Sequence, residues 1–460
     1  MTAPEQALPA SPLDKAARVP ISPDKATRRE RVAWYLYDFG NSAYAAVILL
    51  AVYATYFKEQ VVGGDRGSWL WGLSIGIAML VVALTSPVLG AIADFSANKK
   101  RFLFLTTVMS CLFTSLLFFV QKGDIFIGML FFILAEIGYR SAQVFYDGLL
   151  PELGSADELP GISGAGWAIG SAGGIVCLLV ILPLILLVKG TFIVRLTFPI
   201  TAVFYALAAA PIFWRLRERA RPQALPRGES YLTMGFKRLW RTLQAARHYR
   251  ELWKFMFAFL IYNDGIIMAL DFSAIIGAVL FGVTQEQLIL LMILLQATSV
   301  AGAYLFGLLA QRIGCKRTLM LSVFLMLGCV IELFFTQSLA GFFVVGALAG
   351  FALTGVQSVS RTLVATLSPE GRSAEFFGFF AVAGRTSSFI GPTVYGFVAS
   401  RAARWYEAAG HSTLLAEQAG QRAAIISIAA FLVLGFVLLT LVNEKRGLAA
   451  ANAAPDQAKG

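Results

Sequence analysis

The chain has 460 residues, 58% of them hydrophobic and 14% charged, with 38 Lys/Arg against 27 Asp/Glu and a formal net charge of +11. A soluble protein of this length cannot hide so much apolar surface, so the composition excludes the soluble globular and the disordered classes. The mean hydropathy is +0.71, and charge-free runs such as 67–93, 102–121, 159–188 and 423–443 reach or pass the about 20 residues that cross a bilayer. The fold class expected is an all-α integral membrane protein.

Residues 1–31 are polar, contain Pro and lack an apolar core, and they read as a disordered tail without a cleavable leader. Twelve spans follow, at roughly 33–57, 69–93, 102–121, 124–150, 163–188, 193–214, 252–281, 287–311, 318–336, 340–367, 374–399 and 421–443. The first carries Asp38 and Asn41, with Tyr37, Ser42 and Tyr44 close by. These residues suit solute contact, with gating or packing as the alternative. The second span runs through Gly90 to Asp94 and meets a cationic turn at Lys99, Lys100 and Arg101. This turn recurs after the eighth span, as Gly307, Gln311 and Arg312 followed by Gly314, Lys316 and Arg317, 217 residues after the first copy. A duplicated turn in so apolar a chain predicts two similar membrane halves.

In the fourth span Glu136, Arg140, Gln143 and Asp147 fall at i, i+4, i+7 and i+11, one helical stripe. A charge inside the hydrocarbon is costly, so the stripe reads as a cavity face or as a satisfied ion pair that fixes packing. The fifth span is rich in Gly, at 161, 164, 166, 170, 173 and 174, which lets helices approach closely or bend. The long loop at about 215–250 divides the chain six plus six. Within it Leu232, Phe236, Leu239, Trp240 and Leu243 form an apolar stripe, and Lys237, Arg238, Arg241 and Arg247 face away from it. That pattern predicts an amphipathic helix lying on the membrane surface, with a plain basic linker as the alternative.

Asp264 and Asp271 share one face of the seventh span, with Asn263 beside the first. Asp264 reads as a proton carrier or as an interhelical partner of Arg140 or Arg385. Gln357 and Arg361 end the tenth span at the spacing of Gln143 and Asp147 in the fourth. Arg385, in the eleventh span, suits bidentate capture of a carboxylate or pairing with a neighbouring acid.

Assigning loops alternately to two sides puts 26 of the 38 Lys/Arg on the side of the N-terminus. The basic excess is therefore an orientation pattern that puts both termini in the cytoplasm of a plasma (inner) membrane. It argues against nucleic acid as a partner. The four cysteines lack metal-ligand spacing, and the two histidines lie outside the spans, so no metal site is expected and proton coupling falls to carboxylates. No Gly-rich phosphate loop of the ATP-binding kind occurs and no region is large enough for a catalytic domain, so no cofactor and no enzyme activity are expected.

Twelve spans in two sixes with this turn after spans two and eight resemble the Major Facilitator superfamily. Gly90, Asp94, Lys99 and Lys100 match the superfamily's loop of Gly, three residues, Asp and a basic cluster, with one extra residue before the basic pair. Gln311 replaces the Asp in the second copy. Trp34-Tyr-Leu-Tyr-Asp38-Phe-Gly-Asn41-Ser42-Ala-Tyr44, Tyr146-Asp147-Gly-Leu-Leu-Pro151-Glu152 and Gln357-Ser-Val-Ser-Arg361 with Ala374-Glu375-Phe-Phe-Gly378 resemble the branch holding the vacuolar amino-acid effluxers of autophagy and many bacterial permeases. The resemblance implies two pseudo-symmetric six-helix bundles and a loop acid at 94 that helps lock the cytoplasmic side. The expected organisation is a cytoplasmic tail 1–31, a bundle 32–215, a basic linker 216–250, a bundle 251–445 and a cytoplasmic tail 446–460. The expected function is secondary active transport of a small zwitterionic or amphiphilic solute such as an amino acid, as proton-coupled efflux by a monomer in the lipid bilayer. The rivals are a lipid or lysolipid transporter on the same fold and a non-transporting receptor or scaffold.

Overall fold

The computed structural model describes residues 26–63, 66–188, 190–223, 225, 230–244, 248–283 and 285–453; the side chains of some helical positions, 385–389 among them, lie outside the description. Among the described residues eleven helices are long and apolar enough to cross a membrane, and no strand occurs. The first half comprises α1 (Arg28–Val62), α2 (Arg66–Ser96), α3 (Lys99–Leu116), α4 (Ile125–Gly148), α5 (Leu159–Leu187) and α6 (Thr191–Arg215). The connecting segment contains α7 (Tyr231–Gln244). The second half comprises α8 (Arg250–Asp271), its short continuation α9 (Ser273–Phe281), α10 (Gln285–Ile313), α11 (Cys315–Phe335), α12 (Leu339–Leu367), α13 (Ser373–Ala408) and α14 (Thr413–Thr440), followed by α15 (Glu444–Asn452). With its 36 residues, α13 occupies the place of the eleventh expected span and completes the twelve.

Local chemistry sets the ends. Thr27 opens α1 with a capping box, its hydroxyl accepting from the Glu30 amide while the Glu30 carboxylate accepts from the Thr27 amide at 2.7 Å. Widened π-helical turns at Ala45–Ala51 and Phe57–Val62 interrupt the outer part of α1. The two copies of the repeated turn both need a left-handed residue. Gly314 supplies it in the second copy at φ +90, whereas Ala97 supplies it in the first at φ +50.

The repeat extends to a pair of acid clamps that the spacing of the sequence does not reveal. In the first half Glu30 accepts from the Arg217 amide (3.1 Å), and Glu218 accepts from the amides of Lys99 (2.8 Å) and Lys100 (3.2 Å). In the second half Glu251 accepts from the Asn443 amide (2.6 Å), and Glu444 accepts from those of Cys315 (3.2 Å) and Lys316 (3.0 Å). Each half thus ties its last helix to its first and caps its third helix with a carboxylate, where free amides and the helix dipole favour an anion.

The halves meet chiefly through α5 against α10 and α2 against α13, with α12 against α5 and α4 against α13 beside them. The contacts at residue level that join them cluster at one end, the end carrying the repeated turns.

Candidate functional site

The site begins with the spacing of aromatic residues on α1. Trp34 and Tyr37 lie one turn apart, and both stack on Tyr146 of α4, with ring centroids 4.4 and 5.0 Å away. The Trp34 indole N–H also donates to the Tyr146 carbonyl at 3.1 Å. This packing sets Asp38, one residue past Tyr37, beside Asp147, one residue past Tyr146. Glycines of α5 make the approach possible. A Cβ at Gly170 would stand 2.9 Å from the Asp38 carboxyl carbon, and one at Gly166 would stand 2.5 Å from the Trp34 ring.

Arg361 of α12 enters this first-half pocket from the opposite half. Its guanidinium donates to Asp147 Oδ1 at 3.2 Å and lies 3.7 Å from Asp38 Oδ2. It also donates to the Ser163 hydroxyl (3.0 Å) and the Ser163 carbonyl (2.8 Å) on α5. The rings of Trp34, Trp167 and Tyr146 surround it at 5.0, 5.6 and 5.9 Å. Side-chain exposure is 6% for Arg361, 13% for Asp38 and 19% for Asp147, so the guanidinium is buried and the two carboxylates are partly buried. Asp147 and Arg361 occupy matching places in the two halves. Two residues related by a pseudo-two-fold and bonded to each other stand beside that axis; Asp147 is the penultimate residue of α4, so the ion pair lies toward the turn-bearing end.

The other charges of the stripe are paired more locally. Glu136 is fully buried and accepts from Arg140 at 2.6 Å within α4. Gln143 donates to the Tyr139 hydroxyl at 3.2 Å. Asn41 is buried one turn past Asp38. In the second half Gln357 donates to Asn263 at 3.3 Å. Asp264 is fully buried and accepts from the Gly391 amide of α13 at 2.9 Å, so a backbone amide, not Arg140, is its interhelical partner. Its second oxygen is buried with no hydrogen-bond partner among the described residues. Asp271 is exposed at the end of α8. The side chain of Arg385 lies outside the described residues.

At the turn-bearing end the first copy forms a closed network. Lys99 is buried to 1% exposure; its ammonium donates to Glu152 Oε1 (2.9 Å) and to the Ser373 hydroxyl (3.0 Å) and forms an ion pair with Asp94 Oδ1 at 3.1 Å. Asp94 Oδ2 takes the Glu375 amide of α13 at 2.8 Å, so a carboxylate of one half sits on a helix N-terminus of the other. Ser373 donates onward to the Gly148 carbonyl at 2.6 Å. Glu375 is held by Arg372 through two hydrogen bonds (2.8 and 3.0 Å), and Thr242 of α7 bonds both side chains. Lys100 donates to the Leu216 carbonyl at 2.7 Å, and Arg101 is exposed.

The second copy is arranged differently. Gln311 donates to the Glu158 carbonyl at 3.4 Å, so the change of residue type turns the acceptor of the first copy into a donor. Lys316 donates to the Thr440 carbonyl at 2.8 Å, whereas Arg312 and Arg317 are exposed. The two turn glycines are points of close approach between the halves. A Cβ at Gly90 would overlap the Ala374 carbonyl, and one at Gly307 would stand 3.0 Å from the Pro160 carbonyl oxygen.

The expected amphipathic helix is α7. Its Leu232, Phe236 and Trp240 are exposed, as a membrane-facing stripe requires, while Met234, Gly235 and Thr242 turn inward. A Cβ at Gly235 would stand 2.7 Å from Ile92 of α2. The helix is therefore docked on α2 as well. The side chains of Arg238, Arg241 and Leu243, and residue Arg247, lie outside the described residues.

Sequence reasoning missed Ser163, Trp167, Glu218, Ser373 and Thr242, which are single residues without spacing. Glu152 and Glu375 lay inside quoted motifs without a role, although Arg372 and Glu375 at i, i+3 are a visible pair.

Comparison with known proteins agrees with this architecture. The family model described as vacuole effluxer Atg22 like matches residues 68–452. The uncharacterized MFS-type transporter YxiO of Bacillus subtilis (strain 168) is 27% identical over 430 residues, covering 91% of this chain and 96% of that protein. Autophagy-related protein 22 of Kluyveromyces lactis is 22% identical, covering 82% of this chain and 89% of its own. Among solved structures, the human organic anion transporter MFSD10 superposes with a TM-score of 0.66 at 16% identity, covering 90% of this chain and all of the other (100%). The Major Facilitator transporter FucP in its outward conformation superposes with a TM-score of 0.65 at 15% identity, covering 90% of this chain and 98% of the other.

Proposed function

The chain belongs to the Atg22-like vacuole effluxer family of Major Facilitator transporters, and from that premise we propose that it is a secondary active transporter whose two halves rock about the Arg361 site to move a small zwitterionic metabolite, such as an amino acid. One observation carries the reading: an arginine of one half is held by two aspartates of the other beside the pseudo-two-fold axis. Such a triad holds both charges of a zwitterion's mirror image. A solute carboxylate competes with Asp38 and Asp147 for the guanidinium, and a solute ammonium competes with Arg361 for the carboxylates. Either exchange loosens the bond between halves, which is what alternating access about a central site needs. Protonation of an aspartate loosens it in the same way and supports proton-coupled exchange.

The Lys/Arg-rich end lies in the cytoplasm of a plasma (inner) membrane on this reading, with both termini there. The contacts around Asp94, Gly90 and Gly307 then form a closed cytoplasmic gate, and the conformation faces outward. The test is flux into proteoliposomes across a panel of amino acids, with and without a pH gradient. We expect gradient-dependent flux for at least one zwitterion and its loss, by about tenfold or more, in Arg361→Gln, the scale of one lost charged hydrogen-bond set. Absence of gradient-dependent flux for every zwitterion would sink the reading.

A further inference from the structure

Under the second half, outside the Arg361 site, lies a cavity of about 660 Å3. Its walls carry five cations, Lys254, Lys316, Arg317, Lys445 and Arg446, against two carboxylates, Glu251 and Glu444. Both carboxylates are committed elsewhere. Glu251 holds the Asn443 amide and Lys254 (2.8 Å), and Glu444 caps α11. Among the described residues the side chains of Arg317, Lys445 and Arg446 make no hydrogen bond or ion pair, and all three are exposed.

The internal repeat shows that the cation beside the clamp is used differently in the two halves. In the first half the cation that follows the capping acid is Arg219. It is buried to 8% exposure, pairs with Glu30 at 3.0 Å, and gives its amide to Glu152 at 2.5 Å. Its counterpart after Glu444 is Lys445, whose neighbour Glu251 is already taken by Lys254. The offset of 214 that relates Asp147 to Arg361 puts Thr366 where the first half has Glu152. The clamp likewise puts Cys315 where the first half has Lys99, so the buried pair of Lys99 with Glu152 is missing as a whole from the second half.

The surroundings identify the kind of anion. The cavity lies where α10 and α14 end, at the boundary of the spanning region. Ile313 and Leu441 line it and are 39% and 60% exposed. A dissolved phosphate has no use for an apolar rim, whereas a phospholipid has both an oxyanion and acyl chains. Basic recesses between spanning helices suit anionic headgroups. We propose that this cavity binds the phosphate headgroup of an anionic lipid from the adjoining leaflet, with its chains lying on Ile313 and Leu441.

The experiment uses the full chain, purified in neutral detergent and titrated separately with phosphatidylglycerol, phosphatidylcholine and inorganic phosphate. Thermal melting and native mass spectrometry read binding. Phosphatidylglycerol should be retained and should raise the melting temperature. The triple variant Arg317→Gln/Lys445→Gln/Arg446→Gln should weaken its binding by about a hundredfold, the scale for three cations facing an anionic surface. The charge-matched control Lys122→Gln/Arg401→Gln/Arg404→Gln, in a turn and in the last turns of α13 at the opposite end, should leave it unchanged. Arg317→Lys/Arg446→Lys should bind like the parent, which separates lost charge from a damaged fold. An equal response to phosphatidylcholine, an equal loss in the control, or full saturation by inorganic phosphate alone overturns the proposal.

Discussion

Arg361 is the side chain on which both halves converge, and burial makes its partners matter more than its own bonds. A buried ion pair adds little net stability, but removing one member strands the other and costs about 3–5 kcal/mol. Arg361→Gln should therefore destabilise strongly, and adding Asp147→Asn should recover part of the loss. A double-mutant cycle read by unfolding in mixed micelles should give a coupling of about 1–3 kcal/mol. Arg361→Lys should not substitute, because an ammonium cannot serve Asp147, Ser163 and the stacked rings together. Asp264 makes a different prediction. Its acceptor bond to the Gly391 amide survives in Asp264→Asn, so melting should change by less than about 1 kcal/mol. A proton carrier at that position would lose gradient-dependent flux in the same variant, and unchanged flux would leave Asp264 a packing residue. The sequence marked Asp38, Asp147, Asp264 and Arg361 one by one because charge in an apolar run is visible. It did not mark their pairing, since Asp147 and Arg361 are 214 residues apart and only packing brings them together.

The repeated turn acts through the ends of helices. Asp94 serves two partners, the α13 amide and Lys99. Asp94→Asn keeps an acceptor for the first and loses the second, whereas Asp94→Leu loses both. Flux should therefore fall in the order parent, Asn, Leu, and Gln311→Asp should perturb it by placing an acceptor against the Glu158 carbonyl. The glycines give an independent check. Gly90→Ala should hold the end apart more than Gly307→Ala, as the available space dictates, and spin-label distances across the turns would record it. Ala97 at φ +50 carries left-handed strain of about 1–2 kcal/mol, so Ala97→Gly should not destabilise the chain. Glu218 adds a pH dependence. Burial is the main influence on its carboxyl and raises its pKa above the ordinary value, with Lys99 opposing. A raised acid favours the folded state when protonated, so stability should fall as pH rises from the ordinary carboxylate pKa through the raised one. Glu218→Gln should flatten melting temperature across that window.

At the scale of the whole molecule the two halves are alike in scaffold and unlike in charge. Both use an acid clamp and a capped third helix, yet the first answers Lys99 with Asp94 and Glu152, and in the second the side chains of Arg317, Lys445 and Arg446 have no partner among the described residues. At the turn-bearing end the first half therefore supplies the charged side chains, and the second meets them with a helix N-terminus and the Ser373 hydroxyl. On the proposed alternating-access reading, rocking separates α5 from α10 and α2 from α13. A short bifunctional crosslink between Glu158→Cys and Gln311→Cys, positions already in contact, should abolish flux, and cleaving the linker should restore it. Persistent flux in the crosslinked protein would exclude separation of these helices as a step of the cycle.

Hydrophobic run length and the placement of cations determined the spans and the duplication, because crossing a bilayer imposes about 20 apolar residues on the sequence directly. Glycine density in the fifth span likewise announced close helix approach, and α1 lies against Gly166 and Gly170 as that density requires. What only the tertiary structure decided is which charges answer one another: Arg361 with Asp38 and Asp147, Lys99 with Asp94 and Glu152, Asp264 with a backbone amide. The reason is physical. Insertion into lipid depends on local composition, which a linear chain displays. Neutralising a buried charge depends on a partner within hydrogen-bond distance, and that distance is set by packing between helices remote in sequence.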